Sequence, residues 1–287
     1  MVGGVATLSL LQAAILGVLQ GFTELFPFSS LGIQVIVPQV LHWGLLQSSA
    51  QFVAFVVSLH LGTAVGLLVL FWREWVELVV ALGQSLVQGL ESVRRKPDQK
   101  TIWLLIAATV PAGLIGLAFH HRLAHLFAAP RLAAGMLVVN GLLMLIGQRL
   151  AHTERPRAEG IPRMGFGQAI GIGCSQILAL IPGLSRSGVT MVGGVAVGLS
   201  YETAARFSFL LATPIIGAAA LLEVHKLKAG AHGLLPQAVL GFVLAAVVAY
   251  LSARYLLQYF RTRRLTALAG ISIAAGLVFS LLLALGA

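Results

Sequence analysis

Glu24 stands in LQGFTELFPFSSLG (residues 19–32) and Arg186 in IPGLSRSGVT (residues 181–190), each within a long apolar run. An ionised side chain at membrane depth is costly, so it faces a cavity or a partner and marks a functional site. Gln20 and Glu24 are four residues apart and share one helix face. Pro27 ends that helix, and Ser29 and Ser30 follow at the break. Glu24 is the only carboxylate this reading puts inside the membrane. Its chemistry is that of a general base, a metal ligand or a partner to Arg186. Ser30 or Ser29 is a nucleophile where a base lies close; the alternative is that the serines cap the next short helix.

In the second stretch, Pro182 and Gly183 end one helix, and Ser187 and Gly188 can begin another. A helix start offers N–H groups and a positive dipole end to an anion. Arg186 adds a planar fork matched to phosphate oxygens, and Ser185, Ser187 and Thr190 add hydroxyl donors. Together these residues form a clamp for a phosphate or diphosphate; the alternative is that Arg186 only pairs with Glu24. Other candidates carry less. His120, His121 and His125 fall at an outer loop, and the last two have helical ligand spacing, although such a cluster is ordinarily solvated surface. His60 lies in a span, where it either lines the cavity or satisfies a backbone carbonyl. Ser200 and Glu202 read as a helix start, and Pro111 and Pro214 as span kinks.

The elements that must position these groups follow from the composition. Of 287 residues, 58% are hydrophobic and 10% charged, against about 25% charged in a soluble domain. The expected fold is an all-α polytopic membrane protein, since the runs are too long and uniform for barrel strands. The first 20 residues hold no Lys or Arg, so no cleaved signal peptide is expected. The single Cys174 cannot form an internal disulfide. The net charge of +10 is read as basic cytoplasmic loops and not as nucleic-acid binding.

Six segments read as full crossings: 50–72, 102–120, 131–148, 207–223, 234–257 and 267–287. Thirteen basic residues fall on one side of them, in 73–101, 149–164 and 258–265 together with Arg206, against Arg122, Arg131, Lys226 and Lys228 on the other. That bias puts the first group in the cytoplasm. Residues 76–93 are amphipathic enough to lie flat at the interface. Two apolar stretches, 7–44 and 166–199, are each broken by a Pro/Ser/Gly cluster. The parity of the basic loops holds only if each enters and leaves by the same side, as a re-entrant hairpin with its tip against protein or a cavity.

The broken stretches resemble each other: GVLQGFTELFPFSSLG from Gly17 and GCSQILALIPGLSRSG from Gly173. Gln20 matches Gln176, Pro27 matches Pro182, Ser30 matches Ser185 and Gly32 matches Gly188, with a one-residue slip between Gln and Pro. Three crossings separate the copies, which inverts the second. The chain then reads as one membrane domain over residues 1–287, with repeat one at 7–148 and repeat two at 166–287. The tips meet near the midplane, and Glu24 and Arg186 share one hollow between broken helices.

These motifs resemble the undecaprenyl pyrophosphate phosphatase family, also known for bacitracin resistance. PGLSRSG is the most specific of them; GFTELFPFSSLG, HLGTAVGLLVLFWREW and AARFSFLLATPIIGA are similar to further family segments. The resemblance implies six spans and two inverted re-entrant repeats in a bacterial inner-membrane enzyme. Such an enzyme cleaves the terminal phosphate of a C55 polyprenyl diphosphate, recycling the carrier lipid for cell-wall synthesis, with a pocket toward the periplasm and support from a divalent cation, Mg²⁺ or Ca²⁺. It puts Glu24 on a catalytic carboxylate and metal ligand, Ser30 on a nucleophile or phosphate contact, and Arg186 on the diphosphate clamp. Gln20, Ser29, Gly183, Ser185, Ser187, Gly188 and Thr190 fall at substrate-binding positions. Gln20 stands where the family usually has a glutamate and Ile33 where it usually has a histidine, so the hydrolytic half is thinned. The alternative function is a non-hydrolytic polyprenyl-phosphate transporter on the same midplane site, with a non-catalytic lipid-binding partner as a third reading. Expected partners are the lipid and the bilayer, with a homodimer as a further expectation.

Overall fold

The structure is a computed structural model. It describes residues 8–44, 50–126, 129–150, 160–230, 234–262 and 264–286, without the side chains at 50, 90, 120–126, 150 and 220–230. Every regular element among the described residues is helical.

The first broken stretch folds as α1 (Leu10–Thr23) and α2 (Ser30–Val40), and neither its 14 nor its 11 residues suffices to cross a bilayer. The second folds as α8 (Phe166–Ser175), a tight 3₁₀ turn (Gln176–Leu180) and α9 (Arg186–Ala196). Between the hairpins lie α3 (Ala50–Leu70), α4 (Trp72–Gln88), α5 (Leu90–Arg95), α6 (Pro97–Leu126) and α7 (Pro130–Leu150). After them come α10 (Tyr201–Gly230), α11 (Leu235–Thr262) and α12 (Thr266–Ala284). Among the described residues, five helices are long and apolar enough to span: α3, α6, α7, α11 and α12. The remaining predicted span falls on α10, a helix of 30 residues. Ser200 caps α10, its hydroxyl accepting the Thr203 N–H at 3.1 Å, and Pro111 and Pro214 lie inside α6 and α10.

The predicted amphipathic helix at 76–93 falls on α4 and α5, with different bounds. α4 starts at Trp72, directly after α3, and stops at Gly89, where φ is +82°. It is tied down on one face, since Leu78, Ala81 and Ser85 are buried and the Trp103 indole of α6 donates to Ser85 Oγ at 2.9 Å. Val76, Val79, Val80 and Val87 stay exposed, as suits a helix with an apolar side in the headgroup region.

α3 packs on α10 and α11, α7 packs on α12, α1 lies on α11, and α8 on α6. The hairpins start at opposite ends of this bundle. Gln237, at the first turn of α11, donates to Leu8 O ahead of α1. At the other end of α11, Arg261 pairs with Glu202 in the first turn of α10, and the neighbouring Thr203 takes the N–H of Gly160 ahead of α8. Close approach explains two glycines. A Cβ on Gly17 would strike the backbone of Gly241, and one on Gly173 the backbone of Ala108.

Candidate active site

Two helix starts and one helix end converge at the tips. Ser29 caps α2, its hydroxyl accepting Gly32 N–H at 3.1 Å, and Ser185 caps α9, accepting Gly188 N–H at 3.2 Å. These matching caps correct the repeat register read from sequence. One constant offset relates Gly17 to Gly173, Gln20 to Gln176, Ser29 to Ser185 and Gly32 to Gly188. Ser185 therefore corresponds to Ser29, Arg186 corresponds to Ser30, and the slip falls on the prolines.

Glu24 is the C-cap of α1 and 7% exposed. A carboxylate is disfavoured at the end of its own helix, but this one reaches the first residues of two others. Arg186 Nη2 donates to its Oε1 at 2.9 Å. Ser30 Oγ donates to its Oε2 in a short contact, and Gln20 Nε2 donates to the same oxygen at 3.2 Å. His60 Nε2 lies 3.6 Å from Oε2, and the opposite ring nitrogen is 2.9 Å from the carbonyl of Val56. Of the two roles weighed for His60, the bond to a backbone carbonyl is the one observed, and its other nitrogen faces Glu24. Gln34 orients Gln20, donating to its Oε1 at 3.4 Å and to Leu16 O at 3.1 Å.

The other tip groups hold the two loops together. Gly183 N–H donates to Ser29 Oγ at 3.0 Å, and Ser187 Oγ to Phe26 O at 3.2 Å. Gly183 has φ +98°, and a Cβ there would run into Ala133 and Met136 of α7. Ser185 and Ser187 hydroxyls are 3.0 Å apart. Thr190 Oγ1 donates to the carbonyl of Arg186 at 2.7 Å and lies 2.6 Å from Ser208 Oγ. Arg186 Nη1 donates to Ser208 O at 3.3 Å.

The predicted residues therefore fall in two groups. Glu24, Ser30, Arg186 and Gln20 meet directly, with Glu24 and Arg186 in contact where a hollow between them was expected. Ser29, Gly183, Ser185, Ser187 and Gly188 are next to them with their polar groups engaged in caps and tip-to-tip bonds, and the Thr190 hydroxyl is engaged with its own helix and Ser208. His120, His121 and His125 have side chains outside the described residues. Sequence reasoning missed Gln34, Ser208 and Asn140. Asn140 Nδ2 donates to Pro27 O at 2.8 Å, while its Oδ1 accepts Ser185 N–H at 2.9 Å. Its signal was available, because it is the only asparagine in the chain. Ile33 packs with Ile36, Ala133, Ala134 and Leu137, in a separate apolar cluster.

The geometry supports a definite chemistry. A serine hydroxyl bonded to a buried carboxylate is an activated nucleophile. A guanidinium has five donors, so Arg186 has capacity for phosphate oxygens beyond its bonds to Glu24 and Ser208. A metal fits less directly. No group of three His, Cys, Asp or Glu side chains occurs among the described residues. Mg²⁺ with one protein carboxylate relies on substrate phosphates for its remaining ligands.

The chain matches the family described as "Bacitracin resistance protein BacA" over residues 13–278. It is 46% identical over 254 residues to the undecaprenyl-diphosphatase of Acidiphilium cryptum, covering 88% of this chain and 89% of that protein. It is 43% identical over 263 residues to undecaprenyl-diphosphatase 2 of Chromobacterium violaceum, covering 90% and 92%. Against undecaprenyl-diphosphatase 2 of Burkholderia thailandensis it is 44% identical over 275 residues, with 96% of each chain covered. A match over nearly the full length, carrying both hairpin tips, places this chain in the bacitracin resistance protein BacA family.

Proposed function

We propose that the chain is a membrane phosphatase that removes the terminal phosphate of undecaprenyl diphosphate, returning the carrier lipid to cell-wall synthesis. The observation that carries this reading is the contact of one carboxylate, Glu24, with Ser30 from its own hairpin and Arg186 from the other. The relatives' names agree with it. They lend no support to a non-hydrolytic transporter on the same site.

The chemistry follows from the atoms in contact. Ser30 Oγ attacks the distal phosphorus and passes its proton to Glu24 Oε2. The bridging P–O bond breaks, and undecaprenyl phosphate leaves with the electron pair and accepts the proton from Glu24. Water, deprotonated by Glu24, then attacks the phosphoserine; inorganic phosphate departs and Ser30 regains its proton. Arg186 and the first-turn N–H groups of α2 and α9 that the Ser29 and Ser185 caps do not take stabilise the equatorial oxygens. A divalent cation, Mg²⁺ or Ca²⁺, would be held by the diphosphate together with Glu24 and would neutralise phosphate charge.

Each hairpin, entering from its own end, opens one of two inverted repeats, 7–148 and 166–287. The first turns of α4 and α10 and the basic end of α11, joined by the Arg206–Glu74 and Arg261–Glu202 pairs, face the cytoplasm of a bacterial inner membrane. α1 and α2 then reach the tips from the periplasmic side. Every residue used here belongs to one chain, so chemistry does not require the homodimer, which light scattering in detergent would detect.

The test is phosphate release by purified protein given undecaprenyl diphosphate or undecaprenyl monophosphate. Release from the diphosphate, and its loss in Arg186→Ala, is expected. Release no greater than in Arg186→Ala would overturn the reading.

A further inference from the structure

Asn140 sits mid-way along α7 and is 0% exposed. Its one amide meets three elements. Nδ2 donates to Pro27 O in the first tip at 2.8 Å and to Ser272 Oγ of α12 at 3.0 Å; Oδ1 accepts the N–H of Ser185, the cap of α9, at 2.9 Å. Ser272 in turn donates to Leu137 O of α7 at 2.8 Å. A buried amide in a span is costly unless satisfied, and this one is satisfied by the Ser272 hydroxyl and by two backbone groups that no helix ladder uses. Pro27 lies in the turn between α1 and α2, and Ser185 N–H precedes the first turn of α9.

The position of these two bonds matters. Pro27 lies midway between Glu24 and Ser30, and Ser185 directly precedes Arg186. The bonds between the tips, Gly183 to Ser29 and Ser187 to Phe26, set the distance of one loop from the other. Neither bond ties a loop to a span. Among the described residues, Asn140 is the one hydrogen-bonded to both loops and to α12, through the donor and acceptor ends of one planar group, beside the packing of Gly183 and Ile33 on α7. An amide carries a donor and an acceptor at fixed separation, which a leucine of similar size lacks.

We propose that Asn140 is a positioning residue that holds the two hairpin tips in one register, so that Ser30 and Arg186 both reach Glu24. Its kinetic consequence rests on the phosphatase reading; the tie itself does not. Two measurements separate the two. The first is amide hydrogen exchange, followed by mass spectrometry, of segments 24–32 and 181–190 in detergent-solubilised protein. The second is the kcat and KM of undecaprenyl diphosphate hydrolysis.

In Asn140→Leu, exchange at both tips should quicken together by about tenfold. kcat should fall by about 100-fold while KM changes by less than about threefold. Asn140 also lines a cavity with Leu143 and Met144, so a leucine can be seated there. Asn140→Ser, smaller and polar, is the second variant, read if the leucine protein fails to fold, with the same expectation. Ser85→Ala, which breaks the α4–α6 bond to Trp103 and keeps every Asn140 bond, should leave exchange and kcat within about twofold of the parent. Tip exchange unchanged in the Asn140 variants, or equal losses in Ser85→Ala, would overturn the tie. So would a kcat loss matched by a proportional rise in KM. If the parent itself releases no phosphate, the phosphatase reading fails, and exchange alone decides the tie.

Discussion

Ser30 and Arg186 occupy the same place in the two repeats, the first residue of a helix capped by the preceding serine, and each holds a different oxygen of Glu24. The same backbone device thus delivers a hydroxyl from one side and a guanidinium from the other. Where the second copy carries a charge, the first carries a hydroxyl.

Removing one member of the buried ion pair leaves the other uncompensated. Glu24→Gln or Arg186→Met should each lower stability by about 3–5 kcal/mol, and the double variant should recover part of that loss. Thermal unfolding of the three proteins in one detergent measures it. A double variant less stable than either single one would contradict the pairing.

The two neighbouring serines should separate cleanly. Ser30→Ala removes the hydroxyl on Glu24 and should lower kcat by a factor of about 10² or more with a small change in melting temperature. Ser29→Ala removes a cap and the bond to Gly183, so it should cost about 1 kcal/mol of stability and less of the rate. Turnover and melting curves of both variants check the assignment, and a reversal of the two patterns would exchange the roles.

Restoring the usual family residues should not improve this protein. Gln20→Glu would bring a second carboxylate to the oxygen that now receives a donor at 3.2 Å, where like charges oppose ionisation. Ile33→His would bury a ring among Ile36, Ala133 and Leu137, at a cost of about 1–3 kcal/mol if unpaired. Both variants should melt earlier without a rise in kcat. A tenfold gain in rate would show that the amide of Gln20 and the apolar seat of Ile33 impair a hydrolase.

His60 approaches Glu24 from α3 and belongs to neither hairpin. With its other nitrogen held at Val56 O, it bears on the carboxylate in a fixed orientation. His60→Phe should reduce kcat by about tenfold, and His60→Gln should lose less, because an amide can still donate to Glu24. Steady-state kinetics of the two variants decides, and equal losses would reduce His60 to packing.

Much of this arrangement was legible in the sequence, for identifiable reasons. The spans showed because uniform apolar runs are unmistakable, and the hairpins because Pro27 and Pro182 fall mid-run beside serines. Glu24 and Arg186 stood out because charge at that depth is rare. The repeat register was misread because Ser29 and Ser30 are adjacent and only backbone geometry tells which one caps α2. The expected hollow was misread because spacing cannot say whether two charges face a ligand or each other. Asn140 escaped because a lone polar residue in a span has no periodic partner; its bonds go to backbone more than 40 residues away.

The central claim is that two hairpins make one catalytic unit, and a double-mutant cycle tests it most directly. Phosphate release from undecaprenyl diphosphate would be measured for Ser30→Ala, Arg186→Ala and the pair together. Residues that act as one unit are strongly non-additive, so the double variant should be no slower than the worse single variant by more than about threefold. Losses that multiply in full, or a parent that releases no phosphate, would contradict the account.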